Sequence, residues 1–387
     1  MKRPRRCLAG LIPVAAMAVL AACGRVPTDT LESGVSLELA APGAPPAFVR
    51  ATGPSSYSFP EDHGPHLGFQ TEWWYYTGNL ETPEGDRLAY QLTFFRRGLA
   101  VRGGLRPSRL AADQIYFAHF AITDARGARH PHWERFSRGA AGLAGAAGSP
   151  YGVWLDDWSV SSLDPAGDSV RLFAREQDWE LDLTLQSEKG VVAHGDGGWS
   201  PKSGEAGNAS YYLSLTRLRT QGTVTLAGSR VEVAGSSWFD HEWSTSALGA
   251  QAIGWDWFSL QMDDGTELML FQIRRTDGSL EPVSSGTLVE ADGALAPLTG
   301  TEFTIEANDS WRSPETGATY PSEWVVRVPG FALELSVRPI LDDQEMRVSF
   351  PYWEGAVTLD GTRQGLPLQG RGFVELTGYA RSMQGVF

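Results

Sequence analysis

From Tyr57 onward, apolar and polar residues alternate with period two in short runs. Arg87-Leu-Ala-Tyr-Gln-Leu-Thr-Phe-Phe-Arg96, Trp179-Glu-Leu-Asp-Leu-Thr-Leu-Gln186 and Phe331-Ala-Leu-Glu-Leu-Ser-Val337 each place their apolar side chains on one face of an extended strand. Turn dipeptides fall between such runs, at Asp264-Gly265, Asp277-Gly278, Asp292-Gly293 and Asp360-Gly361. No amphipathic helix longer than about three turns is visible. The pattern predicts an all-β protein, and a composition with Gly 44, Pro 23, Trp 14, Tyr 11 and Phe 17 agrees with short strands joined by tight turns.

The pattern also repeats. Trp73-Trp-Tyr-Tyr-Thr-Gly-Asn-Leu80, a loop and Gly85 to Arg97 resemble Trp255-Asp-Trp-Phe-Ser-Leu-Gln-Met262, a loop and Gly265 to Arg275. The second copy is two residues shorter in the loop and again in the strand, and an even offset keeps each side chain on its face. Further on, Trp179 to Leu185 matches Phe331 to Val337, and Gly222-Thr-Val-Thr-Leu-Ala-Gly228 matches Gly355-Ala-Val-Thr-Leu-Asp-Gly361. Two similar units are expected, 57–243 and 244–387, each with enough strand signals to close an antiparallel barrel around side chains or one ligand.

The N-terminus carries Lys2, Arg3, Arg5 and Arg6, then an apolar stretch from Leu8, then Leu20-Ala-Ala-Cys23. This predicts a lipoprotein signal peptide over 1–22, with Cys23 acylated as the mature N-terminus. The apolar run is too short for a membrane span. Gly24 in place of an acid points to the periplasmic face of a bacterial outer membrane, with contact through the Cys23 anchor only. Residues 23–56, with Ala-Pro-Gly-Ala-Pro-Pro at 41–46, are expected to form a flexible tether. Losing the four basic residues would take the formal charge from −14 to −18, which argues against nucleic acid as a partner. Cys7 lies in the cleaved segment, so no disulfide is expected. The only lysines are Lys2, Lys189 and Lys202, few candidates for Schiff-base chemistry.

The two copies differ where chemistry would sit. Aligning Gly235-x-x-Trp238 with Gly370-x-x-Phe373 sets Asp240 opposite Glu375, but His241 opposite Leu376. A histidine in one copy only is a candidate proton-handling group, whereas Glu375, opposite Asp240 in the second copy, is expected to play no part in turnover. On a regular strand, His241 and Trp243 share one face while Asp240 and Glu242 share the other.

Asp62-His63-x-x-His66, Glu72-Trp-Trp-Tyr-Tyr-Thr-Gly-Asn-Leu80, Gln91 to Arg96, Ala118 to Thr123, Leu155-Asp-Asp-Trp158, Trp238-Phe-Asp-His-Glu-Trp243 and Asp256-Trp257 together resemble the AttH-like family. That family includes carotenoid 1,2-hydratases and kievitone hydratases, and the resemblance spans residues 57 to 387. It implies two consecutive lipocalin-like antiparallel β-barrels and cofactor-free addition of water to a carbon–carbon double bond of an apolar, isoprenoid-type molecule. Such a reaction needs a strong proton donor, aromatic walls to hold a carbocation, and a base or positioned water. The resemblance assigns His241 and Trp243 to the hydratase pair, with Asp240 beside them and Asp256 as the candidate acid. Glu72, Trp73, Trp74, Tyr76, Trp238, Trp255 and Trp257 are the candidate substrate wall. The other reading of the same barrels is a carrier for a lipophilic small molecule, serving an envelope ABC-type transport system.

Each candidate has a plainer reading. Asp240-His241-Glu242 can be a hydrogen-bonded corner, Glu72 can pair with Arg96, and Trp73 and Trp74 can be core. Asp256 faces opposite to Trp255 and Trp257, so only the acid or the tryptophans can enter a given cavity. A metal on His63, His66, His119 and Glu72 is weakly indicated by spacing, and no metal is expected. No Gly-x-Ser-x-Gly elbow, Walker loop or dinucleotide fingerprint is present.

Overall fold

A computed structural model describes residues 48–99, 113–246 and 248–385 of the protein, all within one compact unit. The expected signal peptide 1–22, Cys23 and the tether up to residue 47 lie outside the described residues. Of residues 48–56 most are exposed, while Ala51 is fully buried and its carbonyl accepts from Trp199 Nε1 at 3.2 Å.

Among the described residues, helix is limited to two 3-10 turns, Glu61–His63 and Pro329–Phe331. The rest is organised as a 13-stranded and a 10-stranded antiparallel sheet, the first a nearly closed barrel and the second a half-barrel. The first sheet runs from the strand Thr71–Glu81 to the strand Ser229–Ser244, and the second from Ala252–Met262 to Leu366–Leu376. In each, the opening strand pairs with both the next strand and the last one, so the strand order repeats even though the closure does not.

Register confirms most of the internal repeat and corrects one part. Tyr75 pairs with Asp240 as Trp257 pairs with Glu375. Thr220 lies opposite Leu185 as Leu359 lies opposite Val337, both against glycines, Gly235 and Gly370. The Gly-x-Val-Thr-Leu-x-Gly match is out of register. The first hairpin turns between Leu226 and Ser229, the second between Arg363 and Leu366, so Asp360-Gly361 lies within a strand, not a turn. Gly222 therefore corresponds to Gly361. A Cβ on either would stand 2.2 or 2.0 Å from the carbonyl oxygen of Asp182 or Glu334, themselves equivalent, so both positions require glycine.

Burial shows why the sheets meet where they do. The strand Trp179–Ser187 buries alternate residues, as a strand with one wet face must, whereas Thr71–Glu81 is buried almost throughout. Its even-numbered side chains Trp74, Tyr76 and Leu80 fill the first barrel, and its odd-numbered Trp73 and Tyr75 face the second sheet. Phe258, Leu260 and Met262 fill the half-barrel in the same way, and Trp257 faces back. The joint is held by reciprocal bonds. Asn79 Nδ2 donates to Gly372 O at 3.1 Å, and the repeat-equivalent Gln261 donates to Ser237 O, the equivalent of Gly372, at 2.9 Å.

Candidate active site

Two polar clusters lie on opposite faces of the strand Ser229–Ser244. On the barrel-facing side, His241 Nε2 meets Glu72 Oε1 at 2.9 Å, and His66 Nδ1 meets the same oxygen at 2.8 Å. Arg96 Nε donates to Glu72 Oε2 at 2.8 Å, the pairing expected from the sequence. Burial opposes ionisation of Glu72, but the Arg96 charge and the two imidazoles outweigh it and hold the carboxyl well below its ordinary value. Trp243 stacks on His66 at 3.6 Å, and His241 stacks on Trp74 at 5.0 Å. Burial lowers the His241 pKa despite Glu72, which favours a neutral ring.

The His66, Glu72 and His241 ligand atoms lie within 4.8 Å of one another. Arg96 already compensates the carboxylate, so the cluster is a hydrogen-bonded knot that ties the segment before the first strand into the barrel. Of the residues whose spacing weakly suggested a metal, His63 packs against Phe59 and Tyr151, and His119 lies in a different place altogether.

On the opposite face, Asp240 and Glu242 enter a cavity between the two sheets. The cavity has a volume of about 80 Å³, room for several waters or part of a small organic molecule. Trp73, Tyr75, Tyr212, Trp255, Trp257 and Phe271 form aromatic walls. Glu375 enters from the second sheet, so the residue expected to play no part in turnover shares this cavity with Asp240. Of the sequence candidates, Asp240, Trp73, Trp255 and Trp257 line it. Glu72, Trp74, Tyr76, Trp238, His241, Trp243 and Asp256 do not.

Asp256 shows the physical reason for that division. Strand alternation turns it away from its tryptophan neighbours, and it pairs with Arg274 at 2.9 Å and Tyr379 at 3.1 Å. Trp238 sits beside the cavity and acts through Asp240, donating to its Oδ1 at 2.6 Å.

Three donors hold Asp240: Trp238 Nε1, Ser214 Oγ and Tyr212 OH, the last at 2.7 Å. Trp257 Nε1 in turn donates to Tyr212 OH at 2.8 Å, and His194 joins Ser214 to Thr287. Burial dominates nonetheless and, with Glu242 nearby, pushes the Asp240 carboxyl up to about 7. Glu375 accepts from Trp255 Nε1 at 2.8 Å, and burial, with Asp240 and Glu242 adding, pushes it up to about 7 as well. Glu354, bonded to Tyr75 OH at 2.5 Å, is driven well above its ordinary value by burial and then by Glu375. Lys202 is paired with Glu242 at 2.8 Å and lies over the Phe271 ring.

Sequence reasoning passed over Tyr212, Tyr352, Glu242, Glu354 and Lys202. The pairing register makes Tyr212 equivalent to Tyr352 and Ser214 to Glu354, an equivalence that the displaced Gly-x-Val-Thr-Leu-x-Gly match had hidden.

Residues 50–379 match the AttH-like family. A crystal structure of an AttH candidate from Nitrosomonas europaea is 36% identical, with a TM-score of 0.77, and covers 86% of this chain and 100% of its own. The crystal structure of kievitone hydratase from Nectria haematococca shares the fold, with a TM-score of 0.65 at 17% identity over 87% of this chain and 98% of that one. Kievitone hydratase of Fusarium solani subsp. phaseoli is 26% identical over 217 residues, 53% of this chain, and the chain spans 59% of that relative's length. With the family matched over nearly all of the described residues, the chain belongs to the AttH-like family.

Proposed function

We propose that the protein is a hydratase whose active site is the cavity between the two sheets, and that it adds water without a cofactor to the double bond of an apolar, isoprenoid-type alkene. The observation that carries this reading is the presence of two repeat-related carboxyls, Asp240 and Glu375, both pushed up to about 7 in one aromatic chamber. Two coupled acids of that kind share protons near neutral pH, so one is a carboxylic acid while the other is a carboxylate. The neutral member protonates one alkene carbon. The charge left on the other carbon is met by the faces of Tyr75, Trp255 and Trp257 and by the remaining carboxylate, and water adds there. The name of the kievitone hydratase relative supports the reaction class.

The test is incubation with geraniol, farnesol and squalene in oxygen-18 water, with mass spectrometry of the products. Labelled alcohol from the wild type, and about 10²–10⁴ less from Asp240→Asn, supports the reading. Unchanged alkene together with a co-purifying lipid would replace it with the carrier reading. In the cell we place the protein at the periplasmic face of the outer membrane through Cys23, and Cys23→Ser should release it to the soluble fraction.

A further inference from the structure

Hydration leaves one proton to be removed from the adding water, and both carboxyls are committed to the carbon and the cation. A third group lines the same cavity. Tyr352 OH meets His119 Nδ1 at 2.8 Å, and His119 Nε2 meets Glu134 Oε1 at 3.0 Å. Gln91 Nε2 donates to Tyr352 OH at 3.3 Å and fixes the ring. Ser349 donates to Glu134 from its hydroxyl at 2.6 Å and from its backbone nitrogen at 3.1 Å. His119 is fully buried among Phe95, Phe117 and Phe350, while the Glu134 side chain is 15% exposed, so the row leads from cavity to surface.

The row breaks the internal symmetry. Tyr212, the repeat equivalent of Tyr352, is tied up between Asp240 and Trp257. The equivalent hydroxyl of the second sheet is instead bonded to a histidine whose other ring nitrogen meets a carboxylate, which is the order of groups that activates a hydroxyl in acyl-transfer triads.

We propose that Tyr352, backed by His119 and Glu134, takes the proton from the water that adds to the alkene. This rests on the hydratase reading. As the water oxygen bonds to the cationic carbon, one water proton passes to the Tyr352 oxygen, and the Tyr352 proton passes to His119 Nδ1. The carboxylate of Glu134 stabilises the imidazolium formed. That proton later returns through Tyr352 and cavity water to the carboxylate that protonated the alkene, so the cycle consumes only alkene and water. Burial opposes ionisation of Glu134, but the His119 and Ser349 contacts outweigh it and keep the carboxyl below its ordinary value, as this role requires. Tyr352 touches the reacting water, whereas His119 and Glu134 are positioning residues.

Two labels separate this step from protonation. Geraniol, farnesol and squalene are incubated in deuterium oxide, where reversible protonation puts deuterium into recovered alkene, and in oxygen-18 water, where only completed addition gives labelled alcohol. Tyr352→Phe and His119→Gln should lower labelled alcohol by about 10²–10⁴ while alkene deuteration persists, and Glu134→Gln should lower it less. Asp240→Asn should lower both labels together, by about 10²–10⁴. Labelled alcohol at the wild-type rate in Tyr352→Phe, or a parallel fall of both labels, would overturn the role while leaving the hydratase reading in place. No label of either kind from the wild type would overturn that reading and this role with it.

Discussion

Asp240 and Glu375 occupy equivalent positions on the closing strands of the two sheets, and both side chains enter the same cavity. Each is opposite an aromatic residue of the opening strand, Tyr75 or Trp257, and each is bonded to a tryptophan indole nitrogen, from Trp238 or Trp255. The internal repeat thus delivers one carboxyl from each half to a common chamber.

If the two acids divide the work, Asp240→Asn and Glu375→Gln should each reduce turnover of a hydrated alkene by about 10²–10⁴, and the double variant should fall little further. Initial rates of labelled-alcohol formation check this. Turnover should trace a bell against pH, since full protonation removes the carboxylate and full ionisation removes the acid.

The same acids make stability fall as pH rises. Their folded pKa values, about 7, exceed the ordinary 3.8 of Asp240 and 4.5 of Glu375, so the folded state holds protons that the unfolded state has released. Stability is therefore highest below about pH 4 in this respect, declines through about pH 7, and levels off above. Each group should contribute on the order of a few kcal/mol. Urea titrations across that range should show the decline, and Asp240→Asn with Glu375→Gln should flatten it.

The knot on the other face should behave as structure. Arg96→Met leaves the Glu72 carboxylate buried without its partner and should cost about 3–5 kcal/mol. His241→Leu removes a hydrogen bond to that carboxylate and should cost about 1–3 kcal/mol, although the other repeat accommodates Leu376 at this position. Thermal unfolding measures both, and rates per folded molecule should change far less than in Asp240→Asn.

A tertiary amine with the alkyl skeleton of the alkene should mimic the carbocation. It should bind more tightly than the neutral alkane of the same shape and release protons as it enters, because its charge favours the ionised forms of Asp240 and Glu375. Calorimetry in buffers of different ionisation heat reads the proton count, and equal affinities for amine and alkane would count against a cation-stabilising chamber.

Much of this was legible in the chain. Alternation assigned His241 and Trp243 to one face and Asp240 and Glu242 to the other, and separated Asp256 from Trp255 and Trp257. What alternation cannot say is what covers a face. Thr71–Glu81 and Ser229–Ser244 are buried on both sides near the joint, so each face of His241 or Asp240 looked equally fit for a site. The partners that settle the matter, Glu354, Tyr352 and His119, come from distant strands and enter through tertiary packing. The Gly-x-Val-Thr-Leu-x-Gly match misled because a similar local composition recurs six residues along the strand from the true equivalents, Gly222 and Gly361.

The reciprocal bonds of Asn79 and Gln261 are those of an isologous contact, in which each partner gives and receives the same bond. In a homodimer of half-length chains, every substitution in such a contact would appear twice. Carrying both halves on one polypeptide removes that obligation. One acid is wired to Ser214 and His194, the other lies beside Glu354, and one of two matching tyrosines has acquired a histidine partner. Covalent fusion thus lets a symmetric chamber hold asymmetric chemistry without losing the geometry that brought its two acids together.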